Sequence, residues 1–146
     1  MIDEDMKEIF ESFIIESQEL LDSLTQDLMD LETNSNDVEL LNRIFRGFHT
    51  IKGTAGFMGF ESITSITHKA EDLLNKLRKH DIEYNSSMSD VLFEVHDWIQ
   101  IIVKNLQNGV DAPIEYSSTL EKLERCLKGE SVDSDFGDST AMQSIL

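Results

Sequence analysis

The sequence predicts an all-α protein: an antiparallel four-helix bundle with a short fifth helix packed against it and a flexible acidic C-terminal tail. Three observations carry that expectation. Apolar residues recur at spacings of three and four through most of the 146-residue chain, the signature of amphipathic helices. No segment sustains the period-two alternation of a half-buried strand. One proline and seven glycines leave few breakers, so the helices can be long.

The first helix is expected over residues 3–32, where Ile9, Phe10, Phe13, Ile14, Leu20, Leu21, Leu24, Leu28 and Leu31 form one stripe. Asp3, Glu4 and Asp5 open it, at the end where carboxylates favour the helix dipole. Thr33-Asn34-Ser35-Asn36 reads as a turn, and Asp37 as the cap of a second helix running to about Gly56. Gly56-Phe57-Met58-Gly59-Phe60 should break it, and a third helix follows from about Ser62 to Lys79. After a loop over residues 80–86, a fourth spans roughly Met88 to Gln107 and ends at Asn108-Gly109. A short fifth covers about Glu115 to Lys128. Short connections make the main helices antiparallel neighbours. Residues 1–128 therefore read as one helical domain. Residues 129–146, with four acidic side chains and no basic one, read as a linker or disordered tail.

Composition narrows the function classes. A formal net charge of −17 argues against nucleic acid and against anionic membrane surfaces, both of which demand the opposite sign. The N-terminus is acidic where a secretory signal would be basic, and no apolar run reaches membrane-spanning length. Cys126 is alone, so no internal disulfide can form. The expected setting is the cytoplasm. The apolar stripes can all be used inside one bundle, so the chain is expected to be monomeric. No glycine-rich nucleotide loop, G-x-S-x-G or Cys-x-x-Cys occurs.

One stretch departs from the acidic background. Between Leu40 and Phe60 there is no Asp or Glu, while Arg43, Arg46 and Lys52 surround His49. With His49 at zero on a helical wheel, Leu41, Ile44, Phe48, Ile51 and Ala55 cluster about 110° away, and Gly53 and Gly56 fall within about 40°. His49 thus lies at the edge of the buried stripe. Each glycine costs a helix about 1 kcal/mol relative to alanine, and clearance for a large partner would be a reason to keep them. An imidazole that attacks a phosphoryl group needs such access and local positive charge. A surface histidine near a glycine-softened helix end accounts for the same geometry equally well.

On the third helix Glu71 lies just off the stripe of Ile63, Ile66, Ala70, Leu73, Leu74 and Leu77. A carboxylate there could hold one ring nitrogen of His49 and leave the other as a nucleophile. Taken without its neighbour, Glu71 reads more simply as a solvated side chain. His68 falls nearly opposite the core. His49, His68 and Glu71 lack any metal-ligand spacing, His80 suits a helix C-terminus, and His96 precedes Trp98 in a helix that needs no ligand. The methionines read as gap-fillers and Cys126 as partly buried.

Phe48-His49-Thr50-Ile51-Lys52-Gly53-Thr54-Ala55-Gly56-Phe57-Met58-Gly59-Phe60, followed by Ile66-Thr67-His68-Lys69-Ala70-Glu71-Asp72-Leu73-Leu74, closely resembles the histidine phosphotransfer (HPt) domain of CheA-type chemotaxis histidine kinases. The specific likeness covers about residues 43–80, and helix order extends it over roughly 1–128. The resemblance implies that His49 accepts a phosphoryl group on Nε2 and that Glu71 orients its imidazole. Lys52 and His68 would flank the phosphoryl site, and Gly53 would keep it open. It further implies a donor ATP, with Mg, on a separate kinase domain, no cofactor in this chain, and transfer to an aspartate of CheY-like or CheB-like response regulators. Thr54 stands where a smaller residue is common. No ATP-binding boxes, dimerisation helices or receptor-coupling domain are found, so the chain is expected to be a fragment of a larger kinase, with a free-standing phosphotransfer protein as the alternative, and not itself to use ATP. The rival expectation is a non-catalytic acidic helical adaptor that binds a partner helix and carries no phosphate.

Overall fold

The computed structural model describes residues 4–110 and 114–130. Five helices follow one another: α1 (Glu4–Leu31), α2 (Val38–Met58), α3 (Glu61–Arg78), α4 (Ser86–Gln107) and α5 (Ser117–Leu127). No strand occurs among the described residues. Helix α1 packs on α2 and α4, and α3 packs on the same two, so the first four close a bundle. Helix α5 lies against α3 and α4. The expected tail at 131–146 falls outside the described residues.

Each helix buries the stripe its sequence presents. Phe13, Leu21, Leu24 and Leu28 meet Ile44, Phe48, Ile51 and Ala55 in one continuous core, which α3 completes with Ile63, Ile66, Ala70, Leu73 and Leu74. Burying each such side chain stabilises the fold by roughly 1.5–3 kcal/mol before the entropy of ordering is set against it. None of the described helices is long and apolar enough to cross a membrane.

The helix ends differ from expectation for local reasons. Helix α2 does not break at Gly56. It continues to Met58, where Gly59 takes the left-handed conformation (φ 81°). The Phe60 N–H then donates to the Ala55 carbonyl (2.9 Å) and the Gly59 N–H to that of Gly56 (3.1 Å), the paired closure that satisfies a helix C-terminus. Phe60 is thereby turned onto α1, its ring centroid 5.2 Å from that of Phe13. Helix α4 starts two residues early because the Asn85 side chain accepts from the Met88 N–H. Helix α5 starts two residues late: the Glu115 carboxylate stands outside it and accepts from the Ser117 N–H (3.0 Å). The Ser117 hydroxyl and N–H together hold the Glu115 carboxyl below its ordinary range.

Polar side chains fasten α5. Trp98 Nε1 donates to Thr119 Oγ1 (3.0 Å), which donates in turn to Glu94 (2.8 Å). Lys122 pairs with the same Glu94 from α5, and Lys69 of α3 pairs with Glu124. Cys126 is fully buried rather than partly so.

Candidate functional site

Helices α2 and α3 share the most extensive interface in the bundle, and the site straddles it. His49 projects from the solvent edge of α2 with its side chain 60 % exposed, and Glu71 rises from α3 with its side chain only 6 % exposed. Their packing brings His49 Nδ1 to 2.7 Å from Glu71 Oε1. A carboxylate oxygen accepts, so Nδ1 is the donor, and in the neutral imidazole Nε2 keeps its lone pair. Nε2 has no partner among the described residues.

The second Glu71 oxygen is also engaged. Lys52 Nζ lies 2.7 Å from Oε2. The approach is an ion pair without hydrogen-bond alignment. A buried carboxylate without a counter-charge would be strongly unfavourable. Lys52, one turn from His49 on the same helix, supplies that charge and braces the acceptor from its other side.

Around this pair the surface is open. A methyl group added to Gly53 would meet nothing within 4 Å, and one added to Gly56 would reach only Thr64 at 3.6 Å. His68 is exposed on α3, one turn before Glu71, and makes no hydrogen bond or ion pair among the described residues. Arg46 is exposed too, whereas Arg43 is drawn aside to Asp27 (3.4 Å). The positive field beside His49 is therefore narrower than the sequence suggests. It rests chiefly on Arg46, with Lys52 committed to Glu71 and Arg43 partly spent on α1.

One neighbour of the imidazole, and the residue behind it, were not legible as such. Phe45, one turn before His49, lies parallel to the ring, with centroids 5.7 Å apart and planes 10° from each other. Arg78, at the end of α3, places its guanidinium carbon 4.0 Å over the Phe45 ring. The i, i+4 spacing of Phe45 and His49 is a usable signal. Nothing in the sequence announces Arg78, because its position depends on how α3 lies across α2. Gly47 was missed as well: a methyl group there would come within 2.9 Å of Leu24, so this glycine lets α1 approach α2.

No cluster of three or more His, Cys, Asp or Glu capable of holding a metal occurs among the described residues. The chemistry available is that of one exposed, oriented imidazole nitrogen. The model of the Hpt domain family matches residues 8–109.

The chain belongs to the Hpt domain family.

Its relatives place it among the Hpt domains of CheA kinases. It is 40 % identical over 105 residues to the sensor histidine kinase CheAY of Helicobacter pylori, an alignment covering 72 % of this chain and 13 % of that protein. The CheA phosphotransferase domain from Thermotoga maritima superposes with a TM-score of 0.65 at 38 % identity, over 68 % of this chain and 94 % of that one. A phosphorylated CheA3 domain in complex with CheY6 from R. sphaeroides has the same fold, with a TM-score of 0.74 at 20 % identity over 84 % of this chain and 98 % of that one. This Hpt domain spans only 13–20 % of the length of the full curated kinases it matches.

Proposed function

We propose that this Hpt domain is the phosphorelay element of a chemotaxis kinase, with His49 as the phospho-acceptor. The observation that carries the reading is the 2.7 Å contact from His49 Nδ1 to a buried Glu71, beneath an otherwise exposed ring. In the first step the Nε2 lone pair attacks the γ-phosphorus of ATP held, with Mg, by a separate CheA-type kinase domain. The N–P bond forms, the bridging P–O bond breaks, and ADP leaves with the electron pair. The ring becomes cationic as its lone pair is consumed, so the hydrogen bond from Nδ1 to Glu71 strengthens along the reaction.

In the second step an aspartate oxygen of a CheY-like or CheB-like response regulator attacks the phosphorus. The N–P bond breaks and the imidazole leaves with its lone pair restored. Lys52 keeps Glu71 fixed and, with Arg46 and His68, offsets the charge of the phosphoryl group. Gly53 leaves room for the partner's approach. The chain acts as substrate and carrier, and the ATP chemistry belongs to the partner domain. The relay would run in the cytoplasm, where ATP is available.

The test is labelling with ATP and a CheA-type kinase domain. Wild-type chain should acquire acid-labile, alkali-stable label that passes to a receiver domain. His49→Gln should remain folded and take up none. Full labelling of His49→Gln would end the assignment. No label on the wild type, with a kinase active on its own Hpt domain and then with a cognate kinase, would favour the adaptor.

A further inference from the structure

We propose that Phe45 and Arg78 form a positioning clamp that sets the plane of the His49 imidazole, and so the direction of its Nε2 lone pair. This rests on the reading of His49 as the phospho-acceptor. One hydrogen bond fixes one point of a ring. The contact from Nδ1 to Glu71 leaves the imidazole free to tilt about that point, and a tilt swings Nε2 on the far side. A second constraint is needed to define the plane, and Phe45 supplies it by lying parallel to the ring at 5.7 Å between centroids.

Phe45 is itself only half-buried and would move with its own rotamer if nothing held it. Arg78 holds it. The guanidinium sits 4.0 Å over the Phe45 ring, donates from one terminal nitrogen to Asn42 Oδ1 of α2 (2.9 Å), and from the other to Asn75 of α3. The guanidinium is thus tied to both helices that build the site. It has no carboxylate partner among the described residues, despite the acidity of the chain. Two amide oxygens and an aromatic face account for its place there. The cation steadies Phe45 and Phe45 steadies the imidazole, while Glu71 holds the ring's edge.

The experiment compares wild type, Phe45→Leu, Arg78→Gln and His49→Gln in the full chain. Phosphorylation is measured with a CheA-type kinase domain and ATP, and the His49 ring is followed by NMR. Phe45→Leu should lower kcat about tenfold with KM for this chain unchanged, since misdirection of a reacting atom affects the chemical step and not docking. Arg78→Gln should lower kcat in the same direction by less. It should also shift the His49 ring protons, which Arg78 does not touch, because Phe45 moves. The Nδ1–H tautomer should persist in both. Phe93→Leu, a half-buried phenylalanine of α4, controls for general loss of packing and should leave kcat and the His49 signals unchanged.

Wild-type kcat in folded Phe45→Leu and Arg78→Gln, or an unmoved His49 spectrum in Arg78→Gln, would overturn the clamp. So would a rise in KM alone, which would make these residues part of a docking face. If Phe45→Leu fails to fold, Arg78→Gln decides. Label on His49→Gln would instead remove the relay reading, and the ring spectra of Arg78→Gln would still judge the clamp.

Discussion

At the scale of single residues, the proposed relay rests on how few atoms are left free. Glu71 has both oxygens committed, one to His49 and one to Lys52, so it can neither rotate away nor exchange partners without cost. Replacing it by alanine removes the orienting hydrogen bond and frees Lys52, but leaves the nucleophile in place. Glu71→Ala should therefore slow phosphorylation by about tenfold or more without abolishing it, measured as initial rates against His49→Gln as the zero. Its NMR spectrum should show the His49 proton divided between both ring nitrogens, where wild type holds it on Nδ1. The sequence singles out His49, Glu71, Lys52 and Gly53 as candidates because each belongs to a short motif or lies at a stripe edge. It hid Arg78, whose partners Phe45 and Asn42 are more than thirty positions away and come near only through packing.

At the scale of helices, glycine has two separate uses on α2. Gly53 faces open space and Gly47 faces Leu24. Gly53→Ala should raise stability by about 1 kcal/mol through helix propensity, seen as a higher denaturation midpoint, while slowing transfer by crowding the approach to His49. Gly47→Ala gains the same propensity but forces a methyl group against a fully packed leucine, an overpacking that costs about 1–3 kcal/mol, so its midpoint should fall. A wheel drawn on α2 alone marks both as glycines in a helix; only the position of α1 separates them. The helix ends are legible to within two residues for the same reason: caps such as Asp37 are local, whereas the α2 terminus is set by N–H donors three and four residues beyond Gly56, the first glycine of the expected break. Helix α5 offers a pH test. Its hydrogen bond with Lys69 pulls Glu124 below the ordinary 4.5 and pushes Lys69 above the ordinary 10.5. The depressed acid contributes stability above its unfolded value and loses it as pH falls through the folded one. The raised base contributes below its unfolded value and loses it as pH rises through the folded one. Lys69→Met should therefore melt below wild type at pH 6 and match it at pH 2.

At the scale of the whole molecule, a net charge of −17 on 146 residues makes self-repulsion a standing load on the fold. Screening shortens its reach to about 8 Å at physiological ionic strength, so melting temperature should rise by a few degrees between about 0.01 M and 0.15 M salt. A flat salt response would mean that local ion pairs such as Lys122–Glu94 already balance it. The bundle itself was readable from apolar spacing alone, because four amphipathic stripes with short connections admit few other arrangements. How α2 lies against α3 was not, and the proposed reactive centre depends on that. The candidate nucleophile, His49, rides on one helix and Glu71, which holds its ring, on the other. Parting of the two by one helical step, about 5.4 Å, would leave an imidazole no better directed than one in free solution. On the proposed relay, a copy that is unfolded, clipped or mispacked would be a poor recipient, and damage would withdraw it from the circuit without sending a false message: the domain would fail silent.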